Sequence, residues 1–271
     1  MMGNDAMYKY ISYYLDRPIV EGRSFDIFEP DEVTRDTAIF MVHGGGWRSG
    51  TKTGFHKLME ALCDRGYIVA STDYRLSGTD AFDQLTDIRE SYCRFAEYLA
   101  DNGRPVRIAV HGGSAGAHLA SLLLCASPGE CGENTDNITN WTNPVCGILQ
   151  ATPADFLPWE GMMPSFWAIM EDIAGAPYEK NPEVYQRLSL VNYIRQDNPP
   201  LFFMEAELEH VFLPEHTLHI AKQQRNYGVQ SQWKMYDKME HGFLFELKRA
   251  KQKEAFEDFC LFVEGQLNTE I

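Results

Sequence analysis

The chain has 271 residues, 44% of them hydrophobic and 13% aromatic, which is ample for a buried core and argues against a disordered or low-complexity polypeptide. Asp and Glu outnumber Lys and Arg by 39 to 24, giving a net charge of −15. That balance disfavours nucleic acid or an anionic membrane as partner, because phosphates are bound chiefly through clustered Lys and Arg. No segment approaches the length of a membrane span, and residues 1–10 lack a basic region followed by an apolar stretch. No secretory signal is therefore expected, and the expected location is cytoplasmic. The cysteines, Cys63, Cys93, Cys125, Cys131, Cys146 and Cys260, form no C-x-x-C pair and no zinc spacing, so free thiols are expected. A bridge from Cys131 to Cys125 or Cys146 would require export.

In chain order, strands are expected near 24–28, 38–43, 67–72, 106–111, 145–151, 200–205 and 231–236. Helices are expected at about 54–65, 83–101, 114–126, 181–187, 215–227 and 245–267. This alternation argues for an α/β fold with a mostly parallel central sheet and helices on both faces, one domain over 1–271. The second strand, Ala38-Ile39-Phe40-Met41-Val42, runs into His43-Gly44-Gly45-Gly46-Trp47. Glycines at a strand end let backbone N–H groups turn toward a developing oxyanion, which side chains would obstruct. Gly44 and Gly45 are the expected donors, with the N–H of Ala115. The alternative is a glycine-rich turn that only joins a strand to a loop.

The fourth strand leads to Gly112-Gly113-Ser114-Ala115-Gly116, a G-x-S-x-G element followed by helix-like sequence. A serine on a sharp strand-to-helix turn sits in a strained conformation among small neighbours, which makes Ser114 the expected nucleophile. The stretch 152–177 holds Phe156, Trp159, Met162, Met163, Phe166, Trp167 and Met170. It is expected either to form a small lid or wall, with Phe156, Trp159, Trp167 and also Trp47 against substrate, or to pack a helix onto the sheet. After the strand at 200–205 come three acids, Glu205, Glu207 and Glu209. One of them should orient the base. His241, between the last strand and the last helix, is the expected base, in the chain order serine, acid, histidine. Asp237 reads as a turn residue, His43 and His111 as loop-orienting residues, and His56, His216 and His219 as helix-surface residues. His216 and His219 alone share a helical face, and a serine triad needs no metal or other cofactor, so none is expected.

His43 to Trp47 and Ser114 to Ala120 match the signatures His-Gly-Gly-x-Trp and Ser-Ala-Gly-Ala-His-Leu-Ala. With Arg65-Gly66-Tyr67-Ile68-Val69-Ala70, Asp73-Tyr74-Arg75 and His241-Gly242-Phe243, they make the chain resemble an α/β-hydrolase over roughly residues 20 to 265. The resemblance is to the carboxylesterase and acetyl-esterase group related to hormone-sensitive lipase, and to the kynurenine formamidase branch. It implies an α/β-hydrolase fold and a serine ester hydrolase acting on a small-molecule ester with a short, acetyl-type acyl group. The alternative is an arylformamidase acting on N-formylkynurenine. Relatives carry an aspartate three residues after a small residue and shortly before a proline; here Ala206, Glu209 and Pro214 hold those places. The resemblance thus favours Glu209 over Glu207, although glutamate replaces the usual aspartate. A hydrolase fold reduced to a binding module would typically have lost the serine, the histidine or the glycines, all present here. Helix-packed sheet edges leave room for a homodimer.

Overall fold

Ala38–Val42 is apolar along its whole length and every residue of it is buried, the pattern of a strand covered on both faces. It forms the third strand, β3, of one sheet. The others are β1 (Tyr8–Tyr14), β2 (Ser24–Pro30), β4 (Val69–Thr72), β5 (Ile108–Gly113), β6 (Cys146–Gln150), β7 (Leu201–Leu208) and β8 (Gln232–Glu240). The computed structural model describes residues 8–16 and 18–269; residues 1–7, part of the segment read for a leader, lie outside the described residues. The eight strands lie in the order β1-β2-β4-β3-β5-β6-β7-β8. β1 and β2 pair antiparallel, as do β2 and β4, and every pairing from β4 to β8 is parallel.

β1 has no counterpart among the expected strands. Its sequence, Tyr-Lys-Tyr-Ile-Ser-Tyr-Tyr, lies on the edge with mostly exposed side chains, so burial leaves little alternation to read. The remaining strands fall where the sequence places them, within a few residues at their ends.

The helices are α1 (His56–Cys63), α2 (Ala81–Asp101), α3 (Ala115–Cys125), α4 (Pro164–Ala174), α5 (Pro182–Leu188), α6 (Pro214–Asn226) and α7 (Ala250–Val263). One face of the sheet buries residues of α2 to α6, the other those of α1 and α7. Local signals start and stop them. The Asp80 carboxylate accepts from the N–H groups of Phe82 and Asp83 at 2.9 and 3.0 Å and so caps α2. Pro164 opens α4, and Gly175, left-handed at φ 75°, closes it. The expected helix at 54–65 divides into a 3₁₀ turn, Lys52–Phe55, and α1. The expected helix at 245–267 shortens to α7, preceded by a 3₁₀ turn at Phe243–Phe245.

All six cysteines are free and buried. Among the described residues no helix is long and apolar enough to cross a membrane. His56 is no plain surface residue: its Nε2 lies 2.9 Å from the carboxylate of the buried Asp26. Asp237 lies within β8 beside Lys238, which adopts φ 58° at a break in the β7–β8 register.

Candidate active site

β5 ends at Gly113 and α3 begins at Ala115, so the reversal of direction falls on Ser114 alone, at φ 55°, ψ −124°. A side chain at positive φ is strained, and the surroundings hold it there. Ser114 N–H donates to the main-chain oxygen of Gln150 at 2.9 Å, and His118 N–H donates to Ser114 O at 3.1 Å as the first bond of α3. The N–H of Ala115 therefore has no partner inside the helix and points from its amino end. α3 lies so close to β3 that a Cβ on Gly116 would stand 2.1 Å from the Val42 carbonyl oxygen.

The chain leaving β3 passes directly beside the serine. A Cβ on Gly44 would lie 3.2 Å from the Ser114 Cβ and 2.6 Å from the Gly113 oxygen. Gly45 takes φ 121°, and its carbonyl accepts from the N–H groups of Arg48 and Ser49, which closes the loop into a tight turn. Among the described residues neither Gly44 nor Gly45 donates its N–H to a protein acceptor. These groups and the N–H of Ala115 are donors available to a ligand at the serine.

Behind this loop Trp47 is fully buried, and its indole N–H donates to Nδ1 of His118 at 3.2 Å. His118 Nε2 lies 2.7 Å from the Leu188 carbonyl oxygen. An imidazole that accepts at Nδ1 and donates at Nε2 is neutral, and burial indeed pulls His118 down to about 4. Phe156, also fully buried, stacks on His118 at 4.7 Å between centroids. Trp47 and Phe156, read from sequence as substrate contacts, are thus interior packing that supports the loop. Trp159 and Trp167 are half-buried on the segment after β6; Trp167 packs on Tyr178 and Tyr185.

Glu209 and His241 stand at the ends of neighbouring strands. β7 ends at Leu208 and β8 at Glu240, so Glu209 and His241 leave the sheet side by side. Glu209 Oε2 lies 2.7 Å from His241 Nδ1. Its Oε1 accepts from the N–H groups of Val211 at 2.7 Å, His210 at 3.0 Å and Phe212 at 3.4 Å. Burial works to raise the Glu209 carboxyl, but the His241 contact and these N–H groups outweigh it and hold the group below the usual carboxylate range. Glu207 does a different job: its carboxylate accepts the N–H of Lys238 at 2.7 Å, at the break in the β7–β8 register.

Phe212 and Arg48, which sequence reasoning did not single out, complete the surroundings. Phe212 packs on His241 at 5.8 Å and on Phe166 of α4 at 5.1 Å, and Phe166 and Trp159 lie 6.2 Å apart. An aromatic wall thus runs from α4 to the imidazole. Arg48, just past the glycine loop, pairs with Asp172 of α4 at 2.6 Å and ties the wall to that loop. Among the described residues no three His, Cys, Asp or Glu side chains converge where they could hold a metal ion.

The first of the three acids, Glu205, is fully buried and accepts the Thr217 hydroxyl at 2.8 Å. Burial pushes its carboxyl up to about 8, with the nearby Glu209 and Glu215 adding to the rise. A folded-state value raised above the unfolded one means that stability is fully present below about pH 4.5 and is lost as pH rises toward 8. Glu205→Gln, which stays neutral, is expected to abolish that loss. Its melting temperature should exceed that of wild type increasingly between pH 5 and pH 8, by an equivalent on the order of a few kcal/mol. Parallel melting curves for the two proteins across this range would refute the assignment.

A mostly parallel sheet whose order reverses direction around β3, with a strained serine, an acid and a histidine just past the ends of β5, β7 and β8, defines the α/β-hydrolase fold. Within that class the chain belongs to the BD-FAE family, whose model matches residues 25–223. The match includes Gly44, Ser114 and Glu209 and stops short of His241. Esterase LipQ of Mycobacterium tuberculosis is 28% identical over 182 residues, 64% of this chain and 42% of that protein. The kynurenine formamidase of Drosophila melanogaster is 30% identical over 109 residues, 38% of this chain and 35% of that one. This chain's matches to LipQ and to the probable carboxylic ester hydrolase LipM span about two fifths of those proteins' length. Among solved structures, esterase 2 of Thermogutta terrifontis phosphonylated by sarin superposes with a TM-score of 0.74 at 22% identity, covering 91% of this chain and 92% of that one.

Proposed function

We propose that this protein is a serine carboxylic ester hydrolase that cleaves short-chain, acetyl-type esters through an acyl-enzyme on Ser114. The observation that carries the reading is the 2.7 Å contact between Glu209 and His241 Nδ1. It keeps the proton on Nδ1 and leaves Nε2 as the acceptor. Ser114 Oγ attacks the ester carbonyl carbon while His241 Nε2 takes its proton. The N–H groups of Gly44, Gly45 and Ala115 stabilise the negative oxygen that forms. The C–O bond then breaks, His241 returns the proton to the departing alkoxide, and the alcohol leaves. Water, deprotonated by His241, attacks the acyl-serine; the bond from the acyl carbon to Ser114 Oγ breaks, His241 returns the proton to Oγ, and the acid leaves.

The stretch 152–177, through Trp159 and Phe166 on the aromatic wall, is assigned to the substrate side. Similarity to LipQ, an esterase, supports the ester reading; the acetyl preference rests on the sequence motifs. One observation favours N-formylkynurenine as a second substrate: the wall of Trp159, Phe166 and Phe212 offers faces on which an aryl ring can stack, in a chain similar to a kynurenine formamidase.

The test is hydrolysis of p-nitrophenyl acetate, p-nitrophenyl butyrate, acetylated xylo-oligosaccharide and N-formylkynurenine, with a fluorophosphonate used to label the nucleophile. Acetate turnover above butyrate, with the label on Ser114, is the expected result. Formamide turnover above all esters would move the protein to the second reading, and folded protein that takes no label would refute serine chemistry.

A further inference from the structure

Gln150 is the last residue of β6, paired in register with Gly113 of β5, and it is buried to 2% exposure. Its two ends serve the two halves of the site. The main-chain oxygen accepts the Ser114 N–H at 2.9 Å. The side-chain amide, oriented so that its oxygen meets donors, accepts from the N–H groups of Phe243 and Leu244 at 3.3 Å each. These N–H groups belong to the 3₁₀ turn that begins two residues after His241. The same turn is held from the other side by Gln252 of α7, whose amide donates to the Phe243 carbonyl at 2.8 Å. The rest of its seat is apolar, with Phe55 on Phe245 at 5.5 Å and Phe243 on Tyr236 at 5.2 Å.

Apolar contact holds a loop in place but does not fix its register, because it is not directional; hydrogen bonds do. Glu209 fixes the imidazole at Nδ1, yet nothing in that contact fixes its position relative to the serine. A residue bonded to both the serine elbow and the histidine loop does so. We propose that Gln150 is a positioning residue, which sets the reach between His241 and Ser114 by tying the 243–244 turn to the nucleophile elbow. The proposal rests on the reading of Ser114 and His241 as nucleophile and base.

Gln150→Met keeps the volume and removes the acceptor, while the main-chain bond to Ser114 remains. A small displacement of reacting groups is costly, so kcat on p-nitrophenyl acetate is expected to fall about 10- to 100-fold. KM should stay within about twofold, since the ester itself touches nothing that has changed. Gln150→Glu restores an oxygen acceptor for the two N–H groups and should recover most of kcat. The rate of Ser114 labelling by the fluorophosphonate should fall in Gln150→Met and recover in Gln150→Glu, because labelling needs the base but not deacylation.

Wild-type kcat in Gln150→Met would overturn the proposal, as would a loss confined to KM. Equal losses in the Met and Glu variants would overturn it too, since they would show that packing alone matters. If Gln150→Met does not fold, Gln150→Asn, whose amide is one methylene too short, takes its place against Gln150→Glu with the same criteria. A failure of the underlying enzyme reading is separately visible: Ser114→Ala would then retain activity whatever Gln150 does.

Discussion

Glu209→Gln is expected to lower kcat about 10⁴-fold, and Ser114→Ala about 10⁶-fold, on p-nitrophenyl acetate. The serine change removes the attacking oxygen. The glutamine change acts through a proton. Three main-chain N–H groups converge on Oε1 of Glu209, so an amide at this position must keep its oxygen there and turn its NH₂ toward His241. A donor facing Nδ1 forces the imidazole proton onto Nε2, the nitrogen that must accept from serine. The substitution thus keeps shape and hydrogen bonding while reversing the tautomer. Glu207→Gln is the control: its carboxylate serves the Lys238 N–H, and kcat should stay within about twofold of wild type. Inactivation by Glu207→Gln with little effect of Glu209→Gln would exchange the two roles.

Removing either partner of the Arg89–Glu133 pair is expected to cost about 3–5 kcal/mol of stability. Both side chains are completely buried. Arg89 Nε lies 2.8 Å from Glu133 Oε1, off the direction of a straight hydrogen bond. The guanidinium also donates to the carbonyls of Leu122, in the last turn of α3, at 3.2 Å and of Ala126, just past its end, at 2.9 Å, and lies 5.0 Å from the Trp141 ring. Burial pulls Arg89 down from its ordinary value and Glu133 opposes that, so the guanidinium charge depends on Glu133. Glu133→Ala leaves the guanidinium unpaired in the interior, whereas Arg89→Met with Glu133→Met removes both charges. Urea melts should show the single variants well below wild type and the double variant recovering much of the loss. Additive losses would mean that the pair is not coupled.

Much of the scaffold was legible in the residues. The apolar runs of β3 and β5, the glycines that follow β3 and flank Ser114, and the alternation of strand and helix each write a demand into a few adjacent residues: burial on both faces, a close backbone approach, a positive φ. The same locality explains what was hidden. Glu207 and Glu209 are two residues apart in one strand direction, and only the pairing of β7 with β8 sends one to Lys238 and the other to His241. β1 carries almost no burial signal because it lies on an edge. Trp47 and Phe156 carry side chains suited equally to a pocket or a core, and their burial around His118 was decided by how α3 packs behind the loop. Gln150 belongs to no motif, and its two attachments join positions 36 and about 93 residues away in opposite directions along the chain. Sequence alone determined most of the strands and helices and singled out the serine, glycines and histidine as candidates, because those readings rest on local sterics and periodicity. Tertiary structure decided which acid meets the imidazole, which aromatics face inward and what ties the two halves of the site together, because those contacts depend on sheet register and packing between distant segments.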